Sequence, residues 1–170
     1  MNFLAVALCA GLAVAAAPSM ASPPPSSQNS PQDAAQQMMV LFMDAWSHAD
    51  ASGLAHLFAP DGDFISPYGV IARGPAEIER FYADVFACGY GSSQGGGDIV
   101  SVRALSPDVA LIDAHWSITH AKEATGAARA PEKGTLIAII GRMPDGWRIL
   151  AIRENANVPD AAPPPSPAAR

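Results

Sequence analysis

The sequence predicts an α+β domain, with three helices followed by an antiparallel meander of strands. Three observations carry that prediction. Apolar residues recur at three- and four-residue spacing in the first half, they alternate with polar ones in the second, and close turns separate the alternating runs. Helices ahead of strands is the order of an α+β fold, with the helices packed on one face of the sheet.

Over 34–50, Ala35, Met38, Met39, Phe42, Ala45, Trp46 and Ala49 share a helical face, while Gln36, Gln37, Asp44, Ser47 and His48 lie elsewhere on the wheel. A short second helix is expected with Ser52 as its N-cap and Leu54, Leu57 and Phe58 on one side. The next stretch, 61–69, reads as a strand and a turn. Its alternation puts Phe64 and Ser66 on one face, and Asp63 and Ile65 on the other. Gly74-Pro75-Ala76-Glu77 opens a third helix, because Pro suits the first helical position and an anion there is favoured by the helix dipole. Ile78, Phe81, Tyr82 and Val85 form its buried face. Gly89, Gly91 and Gly95-Gly96-Gly97 are expected to end it in a flexible loop, which lacks the Lys-Ser/Thr ending and the following helix of a phosphate-binding loop. Strands are expected at 98–105, 109–121, 132–143 and 147–156, joined by turns at Ser106-Pro107-Asp108 and Pro144-Asp145-Gly146 and by a loop through Pro131.

The flanks differ in character. Residues 1–21 combine an apolar run with the small-residue ending Ser19-Met20-Ala21, as in a signal peptide; the run is too short for the ~20 residues of a membrane helix. Residues 22–33 are a polar, Pro-rich linker and 158–170 a Pro/Ala-rich tail, leaving one domain at 34–157. The mature protein is therefore expected in the periplasm or secreted. Its formal net charge of −6 and scattered Lys and Arg argue against nucleic acid, and against a membrane surface after leader removal. Cys88 is the one cysteine beyond the leader, so no intramolecular disulfide can form; it is either a buried, inert thiol, the preferred reading, or a cross-linking one.

In the strand 109–121, Ala110, Ile112, Ala114, Trp116 and Ile118 share the face expected to meet the helices. In the last strand Leu150 and Ile152 are expected to share a face with Glu154, opposite Trp147, Ile149, Ala151 and Arg153. Both faces carry apolar residues. The outer face, with His115 and Arg153, is accordingly expected to pair with a second copy as a homodimer.

Six segments in order resemble the nuclear transport factor 2-like superfamily, and within it the SnoaL-like proteins of the SgcJ/EcaC type. They are 42–46 (Phe-Met-Asp-Ala-Trp), 54–64 (Leu-Ala-His-Leu-Phe-Ala-Pro-Asp-Gly-Asp-Phe), 74–78, 106–111, 133–136 and 145–149. The resemblance implies a cone of curved antiparallel sheet closed by three helices around an apolar pocket, commonly as a homodimer. The oxidoreductase label that the family often carries has no nucleotide or flavin motif to support it here, and no cofactor is assigned.

Among the superfamily's catalysts, the ketosteroid isomerase places an aspartate base directly before a Pro-aromatic-Gly turn. Here Pro67-Tyr68-Gly69 keeps the turn and Ser66 stands at the base position. The isomerase's oxyanion-holding tyrosine and acid correspond to Phe42 and Ile139, so the resemblance argues against that mechanism. Glu154 is the carboxylate on the pocket parity. In an apolar cone its pKa would rise, poising it as a general acid or base, with Ser66 and Tyr82 as hydrogen-bond donors; the alternative is a strand-end Glu paired with Arg153, Arg148 or Arg142. Asp61 and Asp63 are read as solvated. His48, Asp50 and His56 do not align on one face, and no metal is assigned. The expected pocket wall is Phe42, Trp46, Phe58, Phe64, Trp116, Ile118, Ile137, Ile139 and Ile152. Such a wall suits a small, mostly apolar organic molecule. The alternatives are an acid–base enzyme of isomerase, cyclase or hydratase type on the same pocket, or a dimeric interaction module.

Overall fold

The computed structural model describes residues 30–157, so the leader, most of the linker and the tail lie outside the described residues. Helix α1 runs Pro31–Ser47, three residues earlier than the apolar periodicity starts. The cause is a capping box: Ser30 Oγ accepts from the Asp33 amide at 3.2 Å, and the Asp33 carboxylate accepts from the Ser30 amide at 3.2 Å. Helix α2 spans Ala51–His56 and is capped by Asp50, whose carboxylate accepts from the Gly53 amide at 2.8 Å, so Asp50 and not Ser52 is the cap. Helix α3 spans Gly74–Val85 and continues into a π-helical turn, Phe86–Tyr90.

Among the described residues six strands form one sheet: β1 Phe58–Ile65, β2 Ile71–Arg73, β3 Gln94–Ser106, β4 Val109–Thr119, β5 Glu132–Met143 and β6 Gly146–Ala156. Their order is β2-β1-β6-β5-β4-β3. The β1–β6 pair is parallel and the remaining pairs are antiparallel. The helices cover the inner face, where Leu54, Phe64, Ile78, Ile140 and Ile149 are fully buried. Burying side chains of this size stabilises the fold by about 1.5–3 kcal/mol each.

The glycine run is strand, not loop. Gly95, Gly96 and Gly97 pair with Ile118, Ser117 and Trp116, and a Cβ on Gly95 would stand 2.9 Å from Trp46 Cδ1. One on Gly97 would stand 2.9 Å from Met39 Sδ. Glycine is needed here so that α1 can lie close on β3.

Two expectations about the faces are corrected. Ile137 and Ile139 point outward, Ile137 being 43% exposed, because the register pairs them with Asp113 and Leu111 on the outer face of β4. The inward residues of β5 are Leu136, Ala138 and Ile140, opposite Ala114, Ile112 and Ala110. In β6, a register shift between Ile139 and Ile140 leaves Leu150 as an extra residue. Ile149 and Ile152 are therefore both buried, at 2% and 3% exposure, and Leu150 packs over Gly141 instead. Below the bulge odd-numbered residues face inward; above it Ile152 and Glu154 do.

Candidate functional site

Between α1, α3 and the inner face lies a cavity of about 430 Å³. Its wall includes Phe42, Trp46, Phe64, Trp116 and Ile118. Ile152 borders a smaller neighbouring cavity of about 70 Å³. Phe58 is buried in the core and does not reach the main cavity, since its place at the start of β1 puts it below the cavity floor with Ile149 as strand partner. The outward Ile137 and Ile139 line neither. Neither Ile139 nor its inward neighbours Ala138 and Ile140 bring an acid to the main cavity.

Tyr82 is the centre of the aromatic cluster, its ring 6.0 Å from Phe42, 5.5 Å from Phe64 and 5.2 Å from Phe81. Only 2% of it is exposed, and its hydroxyl has no hydrogen-bond partner among the described residues. Burial, and then the Glu154 charge, hold its pKa well above the ordinary phenol value. Trp46 Nε1 donates to Ser93 Oγ at 3.1 Å and Trp116 Nε1 to the Thr135 carbonyl at 3.2 Å, so both indoles are held in place in the wall.

Glu154 borders both cavities. No hydrogen bond or ion pair from a described residue reaches its carboxylate. The three arginines that the sequence offers as its partners are engaged elsewhere: Arg153 with Asp63 at 2.7 Å, Arg148 with Asp145 at 2.6 Å and Arg142 with Asp108 at 3.0 Å. Burial without a compensating partner pushes its pKa up to about 7. Asp63 lies on the outer face in that Arg153 pair, and Asp61 is exposed. Ser66 is buried, and its Oγ accepts from the amides of Tyr68 at 3.3 Å and Val70 at 3.1 Å. The side chain thus holds the Pro67-Tyr68-Gly69 turn, leaving its O–H as a donor.

The mouth carries groups that the strand reading did not assign. Glu132 accepts from Tyr68 Oη at 2.7 Å and Tyr90 Oη at 2.6 Å. Both phenols are pushed up to about 12, Tyr68 chiefly by the Glu132 hydrogen bond and Tyr90 chiefly by burial. Arg129 lies over the Tyr90 ring at 5.2 Å and pairs with Glu123 at 3.3 Å. Glu132 was legible in outline, since it precedes Gly134, Leu136 and Ala138 at two-residue intervals. Cys88 is exposed at the cavity edge rather than buried, because the π-helical turn carries it past the buried stripe of α3. His48 and His56 are bound locally, to the Asp44 and Ser52 carbonyls at 2.9 and 2.7 Å.

A curved sheet wrapped by three helices around such a cavity defines the nuclear transport factor 2-like class. Solved structures of this architecture include a superfamily protein from Salmonella enterica serovar Typhimurium, at 19% identity over 75% of this chain and 91% of that one (TM-score 0.65). Others are a ketosteroid isomerase-like protein from Erwinia carotovora atroseptica (19% identity, 74% and 95% covered, TM-score 0.63) and a protein with a cystatin-like fold from Caulobacter vibrioides (20%, 76% and 92%, 0.65). Residues 40–146 match the SnoaL-like domain, and the chain belongs to that family. No curated protein sequence matches it.

Proposed function

We infer that the protein binds a small, mostly apolar organic molecule in this cavity. The observation that carries the reading is a space of about 430 Å³ walled by aromatic rings, with the unpartnered, buried Tyr82 hydroxyl and the partly buried Glu154 carboxyl as polar groups in its lining. That size and that ratio of apolar wall to polar anchor suit a metabolite-sized ligand. Native mass spectrometry combined with a thermal-shift screen of a metabolite library tests it. A retained molecule that also raises the melting temperature supports the reading; no retained mass and no shift removes it.

A second reading, acid–base catalysis of isomerase, cyclase or hydratase type, is favoured by one observation. A carboxyl at about 7 is poised to take or give a proton at neutral pH. Glu154→Gln then abolishes turnover of a library substrate while binding persists, and an unchanged rate removes Glu154 from the mechanism. Pairing of two copies through the outer face is supported by the exposed Ile137 there, and sedimentation at micromolar concentration tests it. Export is proposed from the leader sequence; an intact mass beginning at Ser22 tests it.

A further inference from the structure

We propose that the molecule this cavity takes is an organic cation, an amine whose ammonium group sits against Glu154 and the aromatic faces while its apolar body fills the rest. The inference rests on the binding reading above and names the chemical class of the ligand.

The charges that line the cavity share one sign. Asp84 and Glu132 stand at its edge and Glu154 inside, while no Lys, Arg or His of the described residues lines it. An anionic ligand would meet three carboxylates and no counter-charge. Aromatic residues supply much of the remaining wall, with Phe42, Trp46, Phe64, Phe81 and Trp116 among them. Aromatic rings attract a desolvated cation, and the two indoles that line the space are held in place by their own N–H bonds. An independent observation points the same way: the Tyr82 hydroxyl, 2% exposed and without a partner, has an oxygen free to accept from an ammonium. Glu154 is the second acceptor. Arg129 is the nearest cation and does not line the cavity: it donates to Tyr90 Oη at 3.3 Å, lies over that ring and pairs with Glu123, in a groove that shares only Tyr68 and Glu132 with the cavity. The chain's formal charge of −6 draws cations toward the protein as a whole.

The groups lining the cavity with Glu154 that titrate or carry charge are Tyr68 from the turn after β1, Tyr82 and Asp84 from α3, Cys88 and Tyr90 from the π-helical turn and Glu132 from β5, with Arg129 bonded to Tyr90 Oη outside the lining; His115 borders the smaller cavity. No cation stands in the lining beside Glu154, so an arriving ammonium would be its local counter-charge. Its arrival on a protonated Glu154 must release that proton, which makes binding stronger as pH rises through the carboxyl's pKa.

Isothermal titration with three matched probes tests the proposal: naphthylmethylamine, naphthylmethanol and naphthoic acid, each at about pH 8 and about pH 5.5, pH values that straddle the Glu154 titration. The amine is expected to bind at least about tenfold more tightly than the alcohol at the higher pH, as a desolvated cation–π contact and a charge-assisted hydrogen bond together allow. Its advantage should shrink at the lower pH, and its heat near neutrality should depend on the buffer because a proton is released. Glu154→Gln should reduce the amine's advantage to what the ring contacts alone supply and abolish its dependence on pH; should that variant not fold, the wild-type pH series decides alone. Alcohol or acid binding as tightly as the amine would overturn the cation and leave the binding reading intact. If none of the three binds, the cation proposal fails, and the library screen judges the binding reading separately.

Discussion

Glu154 couples the cavity to stability in a way that can be measured without a ligand. Its carboxyl rises from an ordinary 4.5 to about 7 on folding, through burial. The folded state therefore prefers the protonated form. Stability from this group is fully present below about pH 4.5 and is lost as pH rises through about 7, where the folded protein must hold an unpaired charge. At about 1.4 kcal/mol per pH unit, the span amounts to a cost on the order of 3 kcal/mol above neutrality. Glu154→Gln keeps the shape of the protonated acid and cannot ionise. The variant should match wild type at about pH 4.5 and exceed it by on the order of 3 kcal/mol at about pH 8. Urea unfolding of both proteins across that range reads the difference, and other carboxylates cancel in the comparison. Parallel curves, with no divergence between pH 5 and 8 (approximate bounds set by the titration), would refute the burial argument for Glu154.

Other outcomes follow from the packing. Gly95→Ala places a methyl 2.9 Å from the pinned Trp46 ring and should cost about 1–3 kcal/mol, whereas Gly97→Ala meets the flexible end of Met39 and should cost less, both read by urea unfolding. Ile140→Ala, inside the core, should lose about 2–5 kcal/mol, and Ile137→Ala, on the outer face, much less. Equal losses at the two positions would contradict the register of β5. Phe64→Ala, at the floor of the cavity and 1% exposed, should lose about 3–5 kcal/mol in the same assay.

The fold was legible because period and punctuation agreed along most of the chain. The β4 alternation from Ala110 to Trp116 and the Gly74-Pro75 helix start were read directly, and both stand as expected. The errors came where local signals were degenerate. In β5 the run Leu136-Ile137-Ala138-Ile139-Ile140 is apolar at every position, so alternation cannot say which face is inward; only pairing with β4 decides. In β6 an extra residue at Leu150 flips parity, and nothing in its side chain announces a bulge. Three consecutive glycines look like a loop until a tryptophan from another element needs the space. Glu154 was found because the two-residue interval from Ile152 lies wholly above the bulge. The Tyr68–Glu132–Tyr90 bridge joins residues as far as 64 positions apart and was beyond any local pattern.

The central claim is that the cavity between α1, α3 and the sheet houses a small molecule, and a filled cavity tests it most directly. Ile118 lines the wall and is partly exposed, so Ile118→Trp can narrow the space without replacing a fully buried core residue. The measurement is native mass spectrometry of wild type and Ile118→Trp after the same metabolite library. The account predicts that molecules retained by wild type are lost from the variant while its folded charge-state distribution is unchanged. Retention of the same molecules by both proteins would put the ligand elsewhere and contradict the account.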